Sequence, residues 1–394
     1  MKLVVDANIP AAERCFGHFG MLTRVPGREI NAAHLQNADA LIVRSITQVN
    51  DALLSNSPVG FIGTCTIGTD HIDQTALAKR DIGFASAPGC NAEAVVDYVL
   101  SSLLTLAERD GWSLSERTVG IVGVGNVGRR LLARLTAMDV ATLACDPPRA
   151  EKEGQAGFHS LDALIEHCDV LCLHTPLTHE GPYATYQLLN AQRINDLAPG
   201  SVLLNAGRGD CVDGLTLRNR VAGKGDISAV LDVWENEPEI DAGLRDLVSL
   251  ATPHIAGHSL DGKLRGTWMI QQALARYCGQ PNELTFADIC PPPALASLHL
   301  QHALPPEDAL RLCIRAVYDV RRDHDALQRQ TQHSGMRKGF DDCRANYPLR
   351  REFATLNVRL SGEAVALEGV LRGAGFAVSL ARKRQVVKTG GEKQ

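Results

Sequence analysis

The stretch Gly-Val-Gly-Asn-Val-Gly at residues 123–128 constrains the fold of this chain more than any other feature. A β-type apolar run precedes it, and the helical run RRLLARL follows it. Glycines at this spacing permit a tight turn and a close backbone approach, so that a pyrophosphate meets the free N–H groups of a helix N-terminus. The pattern predicts a nucleotide-binding unit whose cofactor contacts are Gly123, Gly125, Asn126, Val127 and Gly128.

An acidic residue follows the turn at a distance typical of such units. The predicted strand ATLACD ends in Asp146, 18 residues after Gly128. A carboxylate there would accept hydrogen bonds from both ribose hydroxyls and would repel a 2′-phosphate, so the pattern favours NAD over NADP. A Walker-type phosphate loop is excluded, because no Gly-Lys-Ser/Thr follows. The alternative is a glycine turn without a nucleotide, followed by an aspartate that caps a helix.

Short apolar runs alternate with helical stretches through most of the chain. Such runs at 3–7, 40–45 and 59–64 form one βαβ series, and a second series begins at the glycine turn. This rhythm is typical of α/β folds with parallel sheets. A proline-rich segment then marks a change of composition. We predict four parts, namely residues 1–92 together with 257–285, residues 93–256, a small α+β unit at 286–380, and a flexible tail at 381–394.

Composition and charge exclude several classes of protein. The chain has no run of 18 apolar residues that could cross a membrane, and its acid at position 6 leaves no room for a signal-peptide core. Its eleven cysteines lack metal-site spacing, so we expect no metal and a reducing, cytoplasmic location. Residues 301–394 carry 17 Lys and Arg against 11 Asp and Glu. This mild excess lacks interleaved aromatics, so no nucleic-acid partner is expected.

Three segments place reactive side chains at or after predicted strand ends. In NAGRGD, Arg208 is flanked by glycines, and its planar fork suits a carboxylate, although a surface salt bridge is the alternative. In TPHIAGH, His254 follows a proline. A lone histidine is usually structural, but an imidazole beside NAD suits the removal of a hydroxyl proton as hydride leaves. The stretch LDVWENEPE at 231–239 adds four acids.

This combination resembles the D-2-hydroxyacid dehydrogenase family. The similarity lies in GVGNVG, CDVLCLHTPLT (168–178), NAGRG (205–209), LDVWENEP (231–238) and TPHIAG (252–257). The resemblance implies a Rossmann-type nucleotide domain plus a flavodoxin-like substrate domain. It also implies that Glu237 orients the catalytic His254, that Arg208 binds the substrate carboxylate and that Asp232 lies near the nicotinamide amide. Glu235 and Glu239 have no counterpart, and we expect them to be solvated.

Further segments, among them VDANIP, VRSITQVN (43–50), PGCNAEAVVDYV (88–99) and NYPLRRE (346–352), resemble one branch of the family that oxidises a phosphorylated 2-hydroxy acid. The resemblance implies that residues 286–380 form a homodimerisation domain. It implies cofactor contacts at Thr175, Ala206, Gly207, Arg208 and Gly257, and substrate contacts at Ser45, Thr66 and position 258. A tyrosine is expected at the last position, where this chain has His258, so the reach of that donor differs.

A phosphorylated substrate requires cations in the site. A phosphate monoester carries nearly two negative charges near neutrality. Arg44, next to Ser45, is a local candidate for the phosphate. We also hypothesise that Arg344, Arg350 or Arg351 from the C-terminal unit of a partner subunit completes the pocket, although they could be ordinary surface arginines.

Two other functions remain open from the sequence. One is a different member of the family, such as a 3-phosphoglycerate dehydrogenase. The other is an NAD-responsive binding protein that has lost catalysis. The presence of Arg208, Glu237 and His254 argues against the second alternative without excluding it.

Overall fold

The computed structural model describes residues 1–381, so the predicted tail, apart from its first residue, lies outside the described residues. The first unit is a five-stranded parallel sheet flanked by three short helices. Its elements are β1 (Lys2–Asp6), α1 (Ala12–Phe16), β2 (Met21–Val25), α2 (Ala32–Leu35), β3 (Ala40–Val43), β4 (Phe61–Thr64), α3 (Gln74–Lys79) and β5 (Gly83–Ala85). The strand order β2-β1-β3-β4-β5 is that of flavodoxin-like sheets, which confirms the prediction for this unit.

The long helix α4 (Ala92–Asp110) leads into a second, six-stranded parallel sheet. Its elements are β6 (Thr118–Val122), α5 (Gly128–Ala137), β7 (Ala141–Cys145), α6 (Pro147–Glu153), α7 (Leu161–His167), β8 (Val170–Leu173), α8 (Ala191–Asp196), β9 (Val202–Asn205), α9 (Gly214–Gly223), β10 (Ser228–Leu231), α10 (Ala242–Leu247) and β11 (Leu250–Ala251). The order is β7-β6-β8-β9-β10-β11. A single parallel bridge from Ala144 to Phe158 stands where a Rossmann sheet has its third strand, so the order up to β10 corresponds to 3-2-1-4-5-6, and β11 extends the sheet by one strand.

The chain then returns to the first sheet. Helices α11 (Leu260–Tyr277) and α12 (Phe286–Ile289) follow the nucleotide unit. Ile270 of α11 and Ile289 of α12 are buried in one apolar cluster with Val5 of β1. Ser259 caps α11 by accepting a hydrogen bond from the Gly262 N–H at 2.8 Å. Packing therefore joins the segment up to residue 289 to the first unit.

The last unit is a three-stranded sheet with helices between its strands. Its elements are β12 (Ser297–Leu300), α13 (Pro306–Val317), α14 (Val320–Ser334), α15 (Met336–Ala345), β13 (Asn357–Leu360), α16 (Glu368–Gly373) and β14 (Ala377–Leu380). The strands pair in parallel and in chain order. The unit was predicted, but the parallel pairing was not.

The C-terminal unit has no core of its own. Ile314 and Phe353 from this unit are buried in one continuous cluster with Leu103 of α4 and Ile121 of β6. On the other face, Phe340 of α15 packs within the cluster that contains Trp234. The unit is therefore held rigidly against the nucleotide domain, which gives its side chains fixed positions near the domain cleft.

Three negative findings apply to residues 1–381. No helix in this range combines the length and the apolarity that crossing a bilayer requires. No group of three or more His, Cys, Asp or Glu side chains in the same range is arranged to hold a metal ion. All eleven cysteines are free thiols, and Cys168 and Cys172 are buried.

Candidate active site

A cavity of about 550 Å³ lies between the two large sheets and brings together most of the predicted residues. It forms beyond the carboxyl ends of their strands, where open α/β sheets bind ligands. Gly123, Gly128, Asp146 and Glu237 lie outside its lining. The predicted residues in the lining are Arg44, Ser45, Thr66, Gly125, Asn126, Val127, Thr175, Ala206, Gly207, Arg208, Asp232, His254, Gly257 and His258.

The glycines of the turn after β6 have three different structural roles. Gly123 has φ 85°, in the left-handed region. A Cβ on Gly128 would collide with the carbonyl oxygen of Gly123, so this glycine permits the close packing of α5. A Cβ on Gly125 would meet nothing within 4 Å, so open space lies over the N-terminus of α5. The turn thus leaves room for a pyrophosphate, so it is compatible with the dinucleotide that the sequence pattern predicts.

Asp146 has the capping role that was considered as the alternative. Its Oδ1 accepts a hydrogen bond from the Arg149 N–H at 3.1 Å at the start of α6. Its Oδ2 accepts one from the Val124 N–H at 2.8 Å, which holds the glycine turn against the end of β7. A carboxylate has lone pairs beyond these two bonds, so capping is compatible with ribose binding. The ribose contact stays a prediction.

His254 and Glu237 form a hydrogen-bonded pair at the edge of the cavity. His254 Nδ1 lies 2.7 Å from Glu237 Oε2, and Glu237 Oε1 accepts a hydrogen bond from the Trp234 N–H at 2.9 Å. Burial alone would raise the pKa of Glu237, but the charge and hydrogen bond of His254 and the charge of Arg344 outweigh it, so the pKa lies below its ordinary value. A charged carboxylate that fixes one ring nitrogen leaves Nε2 of His254 for proton transfer.

Asp232 positions the backbone that carries His254. This buried carboxylate accepts hydrogen bonds from the Ile255 N–H at 2.8 Å and the Ala256 N–H at 2.9 Å. It also accepts the Thr252 hydroxyl at 2.7 Å. His254 itself has φ 57°, in the left-handed region, which is strained for a histidine. Asp232 therefore maintains a strained loop, a role that the sequence did not indicate; its contact with the nicotinamide amide stays a prediction.

Arg208 lies at the cavity wall that belongs to the nucleotide domain. Its Nη1 donates to the Gly207 carbonyl at 2.9 Å, and its Nη2 lies 3.3 Å from Oδ2 of Asp70, an exposed residue of the first unit. A Cβ on Gly209 would overlap the backbone of Trp234, so this glycine brings the Arg208 segment against the segment of Glu237. The weak, solvent-facing ion pair leaves Arg208 available to a ligand carboxylate.

The acids that flank Glu237 behave differently from each other. Glu239 is exposed, as expected, and pairs with Arg337 at 2.8 Å. The expectation for Glu235 was wrong. It is half-buried, and its Oε2 accepts a hydrogen bond from the Gly214 N–H at 3.2 Å at the start of α9. Burial raises the pKa of Glu235.

Thr66, Gly257 and His258, which were predicted to contact the ligands, also contact other residues of the cavity wall. The Thr66 hydroxyl donates to the Gly68 carbonyl at 3.0 Å. A Cβ on Gly257 would collide with the side-chain amide of Asn91, so this glycine permits close packing at the cavity wall. His258 packs edge-on against the ring of Tyr347 at 5.5 Å between centroids. Its buried Nδ1 has no hydrogen-bond partner within residues 1–381, so it is free to meet a ligand.

The hypothesis on the tail arginines is wrong for two of the three. Arg350 is buried in its own chain, where it donates to the Ala256 carbonyl at 3.1 Å and lies 3.6 Å from the centroid of the Tyr318 ring. Arg351 pairs with Asp261 at 2.9 Å. Arg344 does line the cavity, but it does so in its own subunit. A charge count could not predict this, because it does not show which guanidinium groups are buried.

The cavity also contains residues that were not predicted, among them Lys263 and His174. Lys263, in the first turn of α11, lines the cavity near Arg44. His174 lines it at the end of β8, and burial lowers its pKa to about 4. Both its ring nitrogens are buried without a partner in the described part of the chain. His174 lies within a segment that carried the family resemblance, so its position in LHTP was the available signal, whereas Lys263 had none.

Comparisons with known proteins identify the family of this chain. The family described as D-isomer specific 2-hydroxyacid dehydrogenase, NAD binding domain, matches residues 98–256, and a domain of unknown function matches residues 289–369. An erythronate-4-phosphate dehydrogenase from Chromohalobacter salexigens is 56% identical over 97% of this chain and 100% of its own. One from Edwardsiella ictaluri is 49% identical over 91% and 94%.

A solved structure supports the fold. The D-lactate dehydrogenase from Aquifex aeolicus, complexed with NAD and lactic acid, matches 71% of this chain and 96% of its own with a TM-score of 0.57 and 23% identity. At that identity the likeness concerns the fold, whereas the relatives at 56% and 49% identity establish the family. This chain therefore belongs to the erythronate-4-phosphate dehydrogenases within the D-isomer specific 2-hydroxyacid dehydrogenase family, and it is an NAD-dependent dehydrogenase.

Proposed function

We propose that this protein oxidises 4-phospho-D-erythronate at C2 to 2-oxo-3-hydroxy-4-phosphobutanoate, a step of pyridoxal 5′-phosphate biosynthesis. The names of its relatives support the substrate. The hydrogen-bonded pair of His254 and Glu237, facing the same cavity as Arg208 and the glycine turn, carries the proposal for the chemistry. The unpaired cations of that cavity suit a phosphorylated acid better than a neutral one.

NAD, when bound, supplies the acceptor for the hydride that leaves C2. The residues that would hold it are the turn at 123–128, Asp146, Thr175, Ala206, Gly207, Asp232 and Gly257. The open space above Gly125 is the observation that supports this position. Backbone N–H groups at the start of α5 would face the pyrophosphate, where the helix N-terminus favours negative charge.

His254 would act as the general base. As the C2–H bond breaks and the hydride departs, the C2 hydroxyl loses its proton to Nε2 of His254, and a carbonyl forms at C2. Glu237 holds Nδ1 and stabilises the imidazolium that results. Arg208 would bind the carboxylate at C1 through its planar guanidinium, which fixes the orientation of C2. The reverse direction uses the same groups, with His254 as the acid.

The appearance of NADH in the presence of candidate acids tests the proposal. We expect turnover with 4-phosphoerythronate and much less with 3-phosphoglycerate or D-glycerate. A preference for 3-phosphoglycerate would identify a different member of the family. NAD binding without turnover of any of these acids would favour the non-catalytic binding protein. Any reduced cofactor that is already bound should first be reoxidised with a 2-keto acid, which is removed before the assay because it would consume the NADH that is measured.

We also propose that the protein is a cytoplasmic homodimer joined through its C-terminal unit. Eleven free thiols without a disulfide suit a reducing compartment. Leu349, which is 71% exposed, and Leu312, which is 47% exposed, present apolar surface on the C-terminal unit. Light scattering after size-exclusion chromatography measures the assembly state directly.

A further inference from the structure

Three cations from three separate elements meet at one end of the cavity. Arg44 follows β3, Lys263 lies in the first turn of α11, and Arg344 lies near the end of α15. The first unit supplies Arg44 and the helix that carries Lys263, and the C-terminal unit supplies Arg344. Their convergence is therefore a property of the tertiary structure and not of one charged segment.

These cations lack the partners that other basic groups nearby possess. Among the side-chain hydrogen bonds and ion pairs of residues 1–381, neither the Arg44 guanidinium nor the Lys263 ammonium takes part in any, and the Arg344 guanidinium has only Glu237 at 3.6 Å. By contrast, Arg265 pairs with Glu352 at 2.8 Å, and Arg351 pairs with Asp261. Unpaired cations that face one another in a partly buried cleft are unfavourable unless an anion joins them.

The pKa values of Lys263 and His258 are consistent with an excess of positive charge at this end of the cavity. Burial and then Arg44 lower the pKa of Lys263 to about 8. Burial, followed by Lys263, Arg344 and Arg44, lowers the pKa of His258 well below its usual value. His258 is thus neutral at physiological pH, and it can donate one hydrogen bond without adding charge. Its unpartnered Nδ1 is a second, independent indication of a ligand here.

We propose that Arg44, Lys263 and Arg344 bind the phosphate monoester of the substrate, with His258 as an additional donor, and that Arg344 is shared between this phosphate and Glu237. The inference rests on the proposed function for its substrate, and it assigns the phosphate end of the site. A phosphate carries about −1.5 to −2 charge near neutrality, so it attracts Arg344 more strongly than a single carboxylate does. Binding the correct substrate would therefore draw Arg344 from Glu237 and leave that carboxylate to His254.

The variants Lys263→Gln and Arg344→Gln, with Arg337→Gln as the control, test the assignment. Arg337 lies on the same helix as Arg344 but is exposed and pairs with exposed Glu239. We expect kcat/KM for 4-phosphoerythronate to fall by about 10- to 100-fold in each test variant, the range that a hydrogen bond to a charged group supports. With D-erythronate, which lacks the phosphate, neither test variant should show this loss, and Arg344→Gln should be at least as active as wild type, because Glu237 is then left to His254.

A binding experiment without turnover separates this inference from the proposed function. Inorganic phosphate should raise the Tm of the wild type and of Arg337→Gln, compared with chloride at equal ionic strength, and should not raise it in the two test variants. An equal phosphate shift in all four proteins, or an equal loss of kcat/KM with both acids, would overturn the subsite. If phosphate binds as expected but 4-phosphoerythronate is not oxidised, the anion site stands and the proposed substrate is wrong.

The sharing of Arg344 needs its own readout. In wild type, inorganic phosphate should increase kcat for D-erythronate, because it occupies the subsite and releases Glu237. Arg344→Gln should abolish this activation, whereas Arg337→Gln should retain it. Phosphate activation that survives in Arg344→Gln would show that Arg344 does not connect the subsite to the catalytic pair.

Discussion

Glu237 is the residue on which three parts of the protein act together. Its carboxylate receives the Trp234 N–H from its own segment, the His254 ring from the loop after β11, and the charge of Arg344 from the C-terminal unit. The acids two residues away on either side receive none of these, because Glu235 accepts the Gly214 N–H at the start of α9 and Glu239 faces solvent. The direction of the backbone, not the acidity of the side chain, therefore determines which of the four carboxylates in residues 231–239 pairs with His254.

The substitution Glu237→Gln tests whether this carboxylate is the one that catalysis requires. A neutral amide can neither stabilise the imidazolium nor hold the required tautomer, so we expect kcat to fall by about 10²- to 10⁴-fold. Glu239→Gln is the matched control, since it removes an acid two residues away, and its kcat should stay within about twofold of wild type. Steady-state kinetics with saturating NAD measure both. A comparable loss in the two variants would show that the local fold, rather than the carboxylate, was changed.

The buried charge of Lys263 should lower the free energy of unfolding of the protein. Its pKa of about 8 lies below the value of 10.5 for an exposed lysine, so the folded state disfavours its charge. Lys263→Met should therefore raise the free energy of unfolding at pH 7 by about 1 kcal/mol. Above about pH 8 the folded wild type loses the proton while the unfolded chain keeps it, so wild-type stability rises relative to the variant until about pH 10.5.

Urea unfolding at several pH values measures this difference. The advantage of Lys263→Met should be complete below pH 8 and should shrink toward pH 10.5. Lys338, an exposed lysine paired with Asp342, provides the control variant Lys338→Met, which removes a lysine without relieving a buried charge. A pH-independent advantage of Lys263→Met would mean that added apolar packing, and not relief of a buried charge, is responsible.

The residues that sequence could predict are those whose role depends on local spacing. Arg208 between glycines, His254 after a proline and the glycine turn all belong to short patterns, and the structure brings them together. Lys263 has no such pattern, because only the tertiary fold places it beside Arg44. Arg350 was misjudged for the same reason, since its burial under Tyr318 depends on a helix far away in the chain.

At the scale of elements, the strands of the first sheet that escaped prediction are the two at its edges. β2 is largely exposed and β5 has only three half-buried residues, and the strand order places both at the edges of the first sheet. Central strands such as β3 and β4 are buried along their whole length and read as apolar runs. The bridge at Phe158 lies at the edge of the second sheet and consists of one residue pair, so the sequence shows no strand pattern there.

The turn between β6 and α5 yields a prediction about the cofactor alone. Because a Cβ on Gly125 meets nothing within 4 Å, Gly125→Val should fold normally yet obstruct the pyrophosphate. We expect the Kd for NAD to rise by about tenfold or more, with the Tm of the cofactor-free protein unchanged. Gly369→Val, at another glycine with open space, is the control and should bind NAD as wild type does. A lowered Tm in Gly125→Val would instead indicate a structural role for this glycine.

At the scale of the whole molecule, the C-terminal unit is less independent of the nucleotide domain than the composition indicates. The proline-rich segment predicted an independent C-terminal domain, but α4 is buried on nearly all sides and shares one core with that unit. An apolar surface all around a helix is typical of a buried position, and this was visible in AEAVVDYVLSSLLTLAER. What the sequence could not show was which unit covers the second face of α4.

Asp97 of α4 is the polar centre of this junction. It accepts hydrogen bonds from Arg134 at 2.6 Å and from the Phe353 N–H at 2.9 Å, and it is fully buried. Burial raises its pKa to about 6, against the opposing charges of Arg134 and Arg350. Between pH 3.8 and about 6 the folded state therefore binds more protons than the unfolded chain, so the contribution of Asp97 to stability decreases as the pH rises through this window.

Removing that carboxylate should loosen the C-terminal unit. Asp97→Ala leaves a buried guanidinium and a backbone N–H without this acceptor, so we expect a loss of about 2–4 kcal/mol in the free energy of unfolding. Asp110→Ala, at the exposed end of the same helix, should change it by less than about 0.5 kcal/mol. Urea denaturation followed by tryptophan fluorescence measures both. Equal stability of the two variants would show that the Arg134 network does not join the units.

The proposed homodimer makes a prediction about the surface of the whole molecule. If the C-terminal unit forms the interface, a charge placed on its exposed apolar surface should be desolvated on association and should weaken it. We expect Leu349→Glu and Leu312→Glu to elute as monomers where the wild type elutes as a dimer. Leu215→Glu, on the nucleotide domain at 59% exposure, should remain dimeric. Light scattering reports the mass of each species, and a monomeric wild type at micromolar concentration would exclude the dimer.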